Sequence, residues 1–379
     1  MHIQPTAARL VQPALAEQVV IPALDSLSTD DRDRIRARNP WSYLHALQEP
    51  VDLEAATIRA AAVHSGEGLA RLVDAGVFEP GPAEMYAYRM RSGGLTQVSV
   101  VATVPVEEYD SVILPHEKTR PARVAYLSHY RATVGYVSSP VAVAHPPSAA
   151  VDEVLTRATQ SAPLLDFVTA DGNAQTVWGI EDTAAATAAF AGITRAYVSD
   201  GHHRVEAART VPGDRDRLVL TALTSTRDVD VAPFHRLVRG ADVDQVLGGL
   251  EEVASVEDLD GSVGPAPGSV WVGLGRDWWS GQLPAPVVAE VPESMDAARL
   301  HAQVLDPLGF EQSDPRLQYV PGLGSPRMLA DAHPGTVVIA LAPATFDDII
   351  AAAEAGRTLP LKSTYVRPKP HSGVFLAPT

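Results

Sequence analysis

The stretch RAYVSDGHHRVEAARTV, residues 195–211, predicts a strand, a tight turn and a helix in immediate succession. Apolar and β-branched residues lead up to Asp200, Gly201 permits a backbone conformation that other residues avoid, and helix-forming residues follow. A turn of this kind needs only the aspartate and the glycine. The polar residues that come next therefore indicate a binding site at the start of the helix. They are His202, His203 and Arg204.

The chemistry of this turn suits an anion. A helix N-terminus offers unpaired N–H groups and the positive end of the helix dipole, and Gly201 lets the backbone approach a ligand closely. Arg204 can grip a phosphate with two hydrogen bonds, and the histidines can donate hydrogen bonds or bind a metal when neutral. Asp200 can hold Mg²⁺ or cap the helix. The alternative is that Asp200 only caps the helix and that His202 and His203 are surface residues.

A second polar segment is LPHEKTR, residues 114–120. An acid and a base stand here beside two cations, as general acid–base chemistry and phosphoryl transfer both require. The alternative is a solvated charged loop. The residues concerned are His116, Glu117, Lys118 and Arg120.

A third segment, LPLKSTYVRPKPHSG at residues 359–373, is the most basic stretch of an acidic chain. Its prolines favour a loop or an edge strand that folds back over an anionic pocket, or else a C-terminal strand with a basic exposed face. Only three of the 30 basic residues are lysine. Either a coding bias favours arginine throughout, or lysine is retained at positions that need a compact ammonium and do not accept arginine. Lys118 and Lys362 are stronger candidates for retention than Lys369. The substrate-binding candidates are Lys362, Ser363 and Thr364.

Composition limits the partners of the chain. The 379 residues carry a formal net charge of -16, which repels nucleic acid and anionic membranes at long range. The sequence contains no cysteine, no apolar run near 20 residues and no signal-peptide pattern at its start. A cytoplasmic location, a small-molecule substrate and no nucleic-acid or membrane partner are therefore expected. A homodimer is left open.

The order of elements predicts a mixed α+β fold with several hairpins rather than a regular βαβ series. A helix is expected from Ser28 or Thr29 to Asn39-Pro40, and hairpins around Gly93-Gly94 and Asp171-Gly172. The segment with VAPFHRLV, which carries His235 and Arg236, is predicted as an extended loop whose histidine belongs to a core or an interface. A soft boundary near residue 240 divides a domain at 1–240, with both the HEKTR and the DGHHR motifs, from a smaller α/β portion at 241–379. The LKSTY loop of that portion is expected to return to the site.

The usual nucleotide-binding motifs are absent, since the chain has no P-loop, no Rossmann glycine fingerprint and no protein-kinase motif set. HExxH and GxSxG are absent as well. If the protein binds a nucleotide, it uses the DGHHR turn.

The chain resembles a bacterial and archaeal family catalogued only as a domain of unknown function, DUF ten-fifteen. The likeness covers nearly the whole chain and consists of six ordered matches: NPWSYLHAL, YAYRM, LPHEKTRPAR, YVSDGHHRVEAA, FHRLV and LPLKSTYVRPKPHSG. Two positions depart from the family pattern. The segment IPALDSL keeps Pro22 and Asp25 but lacks the usual tyrosine, and Val205 stands where an aromatic residue is common.

The DGHHR turn is also similar to the phosphate-binding turn of the ParB/sulfiredoxin fold, some members of which are free L-serine kinases. This resemblance implies a ParB/sulfiredoxin-like core that binds ATP or ADP, or else CTP, on Gly201, His202, His203 and Arg204, together with Mg²⁺ at Asp200. It implies phosphoryl transfer to a hydroxylated metabolite such as serine, with Glu117 or Asp200 activating the hydroxyl. His116 would assist, while Lys118, Arg120 or Lys362 would hold phosphate or carboxylate.

Two other functions stay open. The first is a nucleotide-binding switch or partner-binding module, in which the HEKTR segment would be structural. The second is a metal-dependent hydrolase built on His116, Asp200, His202 and His203, although two adjacent histidines rarely both point at one metal.

Overall fold

The central element of the fold is an eight-stranded mixed sheet formed by the N-terminal part of the chain. A computed structural model describes all residues except 53, 212–216 and 258–263, and the side chain of Asp25 lies outside the described part. The chain forms two units, which are Met1–Val229 with Pro368–Thr379 and, second, Asp230–Arg367.

Strands occur in both units. In chain order they are β1 (Arg9–Val11), β2 (Phe78–Pro80), β3 (Tyr86–Ser92), β4 (Leu95–Pro105), β5 (Ile113–Leu114), β6 (Tyr136–Val137), β7 (Val141–His145), β8 (Leu165–Val168), β9 (Ala174–Gly179), β10 (Ala196–Asp200), β11 (Leu218–Ser225), β12 (Asp230–Ala232), β13 (Phe234–Arg239), β14 (Glu251–Ser255), β15 (Ser269–Leu274), β16 (Asp277–Gln282), β17 (Leu317–Pro321), β18 (Thr336–Leu341), β19 (Tyr365–Arg367) and β20 (Phe375–Pro378).

Helices also occur in both units. The described α-helices are α1 (Ala16–Val19), α2 (Thr29–Arg38), α3 (Ala55–Asp74), α4 (Glu108–Ser111), α5 (Pro121–Val134), α6 (Ala149–Ala158), α7 (Thr183–Ala191), α8 (His202–Thr210), α9 (Val243–Gly248), α10 (Asp296–Leu300), α11 (Pro326–Ala332) and α12 (Phe346–Glu354). A π-helical turn, His301–Leu305, continues α10. No described helix has the length and apolar character needed to cross a membrane.

The eight-stranded sheet of the first unit has the order β5-β10-β7-β11-β4-β3-β9-β8. Apolar clusters lie on both faces of this sheet. Successive side chains of a strand point to opposite faces, so one strand contributes to both clusters. In β4, Val100, Ala102 and Val104 belong to one apolar cluster, while Val101 belongs to the other. A smaller sheet of the same unit has the order β2-β1-β20-β6, and its strand β20 brings the C-terminal residues back to the first unit.

One edge of the large sheet positions the polar segments. Strand β10 runs parallel to the edge strand β5, with Ala196 opposite Ile113 and Tyr197 opposite Leu114. Because parallel neighbours end at the same edge of a sheet, the segment after β5 and the turn after β10 emerge side by side. The first segment leads into α5, which packs on both α3 and α8.

The second unit contains a six-stranded sheet with the order β14-β16-β15-β18-β13-β17. Its core is formed by apolar residues such as Val272, Leu300 and Ile339. The short strands β12 and β19 pair with each other in the same unit.

The prediction of a mixed α+β fold is confirmed. Helix α2 begins after Ser28, whose side chain accepts a hydrogen bond from Asp31 N–H, and the two expected hairpins are β3–β4 and β8–β9. The prediction of an extended loop through VAPFHRLV is wrong, because β13 lies between β17 and β18 inside the second sheet. The division into domains at 1–240 and 241–379 stays a prediction. It is separate from the division into the two units described above.

Candidate functional site

The turn after β10 requires glycine for two reasons. Gly201 has a φ of 104°, in the region that residues with a side chain rarely adopt. A Cβ atom added there would also come within 2.9 Å of Nε and Nη2 of Arg204. Helix α8 begins at His202 directly after this glycine, and no side chain caps it. The first N–H groups of the helix are therefore not covered by a capping side chain.

Arg204 folds back over the turn. Its Nη1 donates to the backbone oxygens of Ser139, at 2.7 Å, and Pro140, at 2.6 Å, and its Nη2 donates to the Asp200 carboxylate. These contacts join β10 and α8 to the segment before β7. The nucleotide contact of Arg204 stays a prediction. A bound phosphate would accept from the same guanidinium that already donates to Ser139, Pro140 and Asp200.

Asp200 lies between two cations. Its Oδ2 pairs with Arg204, and its Oδ1 is 3.0 Å from Nζ of Lys369, whose side chain is 11% exposed. Burial alone would raise the pKa of Asp200, but the charges of Lys369 and Arg204 outweigh it and hold that pKa well below its usual range. Asp200 is therefore ionised at neutral pH, and it anchors the C-terminal segment beside the turn.

The two adjacent histidines hold the HEKTR segment against the helix. The backbone N–H of His116 donates to Nε2 of His202 at 3.3 Å, and the N–H of Arg120 donates to Nε2 of His203 at 2.9 Å. We call this pair of contacts the histidine clamp. Because both Nε2 atoms accept, each neutral ring carries its proton on Nδ1. The structure thus brings the HEKTR and DGHHR motifs together.

The imidazoles at this site are neutral at pH 7. Burial lowers the pKa of His116 to about 4 and that of His202 well below its usual value. The pKa of His203 is also lowered to about 4, first by burial and then by the charges of Arg120 and Arg123. The clamp is therefore formed by acceptors rather than by cations, and positive charge surrounds it.

These shifts give a pH-dependent stability. Below the usual value of 6.5 the unfolded histidines take up protons while the folded ones do not, until pH approaches about 4. The free energy of unfolding is expected to fall across this window, and His116 alone contributes on the order of 3 kcal/mol. Urea unfolding between pH 7.5 and 4.5 measures it.

The variant His203→Gln keeps an acceptor for Arg120 N–H but does not titrate, so it should make this decline less steep, while His116 and His202 still contribute to it. The exposed His64 serves as the matched control, since His64→Gln should leave the decline unchanged. A stability that is constant over this pH range would contradict the assignment of neutral buried histidines.

The carboxylate of Glu117 is the acidic group that this arrangement presents to solvent. Its Oε2 is 3.7 Å from Nδ1 of His202, and its side chain is 43% exposed. Lys118 and Arg120 are exposed on the same segment. The imidazole of His116 packs edge-on against that of His202, with ring centroids 4.6 Å apart, and its buried Nδ1 has no hydrogen-bond partner among the described residues.

The segment LPLKSTYVRPKPHSG is divided between the two units, and its LKSTY motif, residues 361–365, lies in the second unit. Residues up to Arg367 belong to the second unit and those from Pro368 to the first. Nζ of Lys362 lies 5.0 Å from the centre of the Phe234 ring, and Ser363 donates to the Pro360 carbonyl at 2.8 Å. Thr364 is half-buried. The substrate-binding roles of Lys362, Ser363 and Thr364, and the return of their loop to the site, stay predictions.

A metal site made by the protein alone is not found in the described part of the chain, where no three His, Asp or Glu side chains are grouped to hold an ion. Of the histidines predicted for a hydrolase, His202 and His203 use their Nε2 atoms in the clamp. The Mg²⁺ role of Asp200 stays a prediction.

Sequence reasoning missed two contacts made by the C-terminal segment, one of them at this site. It ranked Lys369 below the other two lysines, yet Lys369 is the lysine that pairs with Asp200. It also gave His371 no role, although its Nε2 lies 3.3 Å from Oδ2 of Asp171. The scarcity of lysine could have indicated a role for Lys369, because the argument for a retained lysine applies to all three positions equally.

The fold and the site together define a mixed α+β protein whose polar turn, clamped loop and C-terminal segment lie in one unit. Residues 3–302 match the family described as "Protein of unknown function (DUF1015)", and the chain belongs to this family. None of the curated proteins matches it.

Several solved structures are similar to the chain at low identity. SbnI with a C-terminal truncation, from Staphylococcus aureus, is 13% identical with a TM-score of 0.36, covering 70% of this chain and 82% of that one. A free serine kinase in complex with AMP is 12% identical with a TM-score of 0.37, covering 70% and 87%. A conserved hypothetical protein from Pyrococcus furiosus is 13% identical with a TM-score of 0.35, covering 72% and 93%. Likeness at this level assigns no activity to the chain.

Proposed function

We propose that the protein transfers a phosphoryl group from a nucleotide to a small hydroxylated metabolite, with free L-serine as the first acceptor to test. The observation that carries this proposal is the uncapped start of α8 at Gly201, with the exposed segment Glu117–Arg120 held beside it by the histidine clamp. The site thus offers anion-binding N–H groups, two exposed cations and an acid within one unit.

The charge distribution supports phosphate binding. The chain as a whole is acidic, with a net charge of -16, yet Arg120, Arg123 and Arg204 lie close enough to His203 to lower its pKa. A local positive field at the end of a helix attracts a nucleotide phosphate despite the negative surface elsewhere. We assign the phosphates to the N–H groups at Gly201–His203, and the transferred group to Lys118 and Arg120.

Glu117 is the group that we assign to the acceptor hydroxyl. In the proposed step the acceptor oxygen attacks the terminal phosphorus, the bond from that phosphorus to the bridging oxygen breaks, and the hydroxyl proton passes to the Glu117 carboxylate. The products are a phosphate ester and the nucleotide shortened by one phosphate, which is a nucleoside diphosphate from ATP or CTP and AMP from ADP. Asp200 is a weaker base, because its two cations favour the ionised form, and we assign it a positioning role.

The residues present fit a magnesium ion that arrives with the nucleotide. Mg²⁺ keeps several waters and is bound by one or two carboxylates together with substrate phosphates. A carboxylate has about four lone-pair sites, so Asp200 retains acceptor capacity beside Lys369 and Arg204. When bound, Mg²⁺ would neutralise charge on the phosphates. ATP, ADP and CTP are the nucleotides to compare.

Nucleotide turnover with Mg²⁺ tests this function directly. Phosphorus NMR would follow ATP and ADP with and without a pool of hydroxylated amino acids. A new phosphate ester in the pool, formed in step with ADP, is the expected result and names the acceptor. Nucleotide consumption at the same rate without any acceptor would contradict transfer to a metabolite.

A second candidate is a nucleotide-binding switch without chemistry. The histidine clamp favours it, because the HEKTR segment then has a structural role that needs no reaction. Binding of nucleotide without turnover across the acceptor pool would support the switch. Under either function we place the protein in the cytoplasm of a bacterium, without a nucleic-acid partner.

A further inference from the structure

The second unit contains a fully buried arginine without an acidic partner. Arg236, on β13, has no solvent exposure. Its Nη1 donates to the Phe234 carbonyl at 2.7 Å, and its Nε donates to Nε2 of His301 at 3.3 Å. Among the described residues, no aspartate or glutamate forms an ion pair with it. A buried guanidinium stays charged, so its desolvation costs several kcal/mol unless a partner compensates it.

Part of this charge is balanced by aromatic rings. The guanidinium carbon lies 4.5 Å from the centre of the Tyr319 ring, and the His301 ring stacks on Tyr319 with centroids 6.0 Å apart. The attraction of a buried cation to an aromatic face is a small stabilisation. This is less than the cost of burying the charge, and it satisfies no N–H group.

Two donors at the same place lack acceptors. Nη2 of Arg236 is buried without a hydrogen-bond partner among the described residues, and so is Nδ1 of His301. Because Nε2 of His301 accepts from Arg236, the neutral ring carries its proton on Nδ1, which makes that atom an unpaired donor. Nη2 lies on the same edge of the guanidinium as Nε, beside the His301 ring, whereas Nδ1–H of His301 points away from Arg236 because Nε2 faces it.

The backbone at His301 is also unusual. His301 begins the π-helical turn His301–Leu305, a conformation that is rare and occurs often at functional sites. The turn aims the imidazole at Arg236. Tyr319, the most exposed of these side chains, lies on the edge strand β17, which pairs only with β13 in its sheet.

We propose that Arg236, oriented by His301, forms an anion-binding site within the second unit, which takes a carboxylate or phosphate group of a small molecule against Nη2. The anion supplies the acceptor that Nη2 lacks and the missing negative charge. This site is separate from the turn at Gly201, and it does not rest on the proposed phosphoryl transfer.

Thermal unfolding of the full chain tests the site. The probes are sodium phosphate and sodium acetate, compared with sodium chloride at equal ionic strength. All measurements use a protein that carries Arg120→Ser. This substitution weakens phosphate binding at the turn of Gly201, so that this turn contributes less to any rise in Tm. We expect at least one probe to raise Tm by about 2–4 °C. A rise with acetate assigns a carboxylate, and a rise with phosphate alone assigns a phosphate.

The matched variant adds Arg236→Met, which keeps much of the volume and removes the charge. It should lose the rise completely and should be no less stable in chloride, because an uncompensated buried charge is gone. An equal rise with and without Arg236, or no rise with either probe, would overturn the proposal.

Crystals grown with arsenate or with bromoacetate give a second test if Arg236→Met does not fold. Anomalous density within hydrogen-bond distance of Nη2 of Arg236 is the expected result. Density for water alone at that atom would show that a solvent molecule satisfies this donor and that the site takes no anion.

Discussion

Replacing Glu117 by glutamine is expected to lower phosphoryl transfer at least about 100-fold, as removal of a general base typically does. Nucleotide affinity should change by no more than about threefold, because we assign Glu117 to the acceptor hydroxyl and not to the phosphates. The side chain is 43% exposed, so glutamine fits without a cost in packing. Rates of ADP formation with the acceptor, together with calorimetric nucleotide binding, measure both quantities.

The control for this variant is Glu107→Gln. Glu107 is an exposed acid at the start of α4, outside the site, and its replacement removes the same charge. It should leave both turnover and binding unchanged. Turnover that survives in Glu117→Gln would refute the assignment of Glu117, while loss of nucleotide binding in the same variant would show that Glu117 holds the phosphates or their metal.

Replacing Gly201 by alanine is expected to have the second large effect. The φ of 104° costs a residue with a side chain roughly 1–3 kcal/mol. The new Cβ would displace the Arg204 guanidinium, which lies 2.9 Å from its position. Nucleotide affinity should fall at least about tenfold, because the start of α8 would move. Calorimetric nucleotide binding and urea unfolding measure the two effects.

Gly94→Ala is the matched control. Gly94 also has a positive φ, 85°, but a Cβ there would meet nothing within 4 Å. This variant should show a similar loss of stability with unchanged nucleotide affinity. If both variants lower affinity equally, the effect of Gly201→Ala comes from general destabilisation rather than from the turn.

Local sequence patterns predicted the elements of the first unit well. The strand, glycine turn and helix at 195–211 appear as β10, Gly201 and α8, since each part depends on the conformational preferences of its own residues. The hairpins β3–β4 and β8–β9 likewise follow from turn residues next to their strands. Such features need no knowledge of distant contacts.

Long-range pairing was not predictable in the same way. Strand β5 has only two residues, which is too short for a periodic pattern to predict it. Its parallel pairing with β10 nevertheless brings the HEKTR and DGHHR motifs together. The role of the histidines as acceptors depends on backbone N–H groups far away in the chain. Strand β13, predicted as an extended loop, has the sequence FHRLVR and buries Arg236 fully at a position where a core strand normally has an apolar residue.

The central claim is that the turn at Gly201 binds nucleotide phosphate. The most direct measurement is a titration of isotope-labelled protein with ATP and Mg²⁺, with the backbone amide resonances followed by NMR and adenosine as the phosphate-free control. We predict that the amides of Gly201, His202 and His203 shift with ATP and not with adenosine. Binding of ATP that leaves these amides unchanged, or no binding of ATP at all, would contradict the claim.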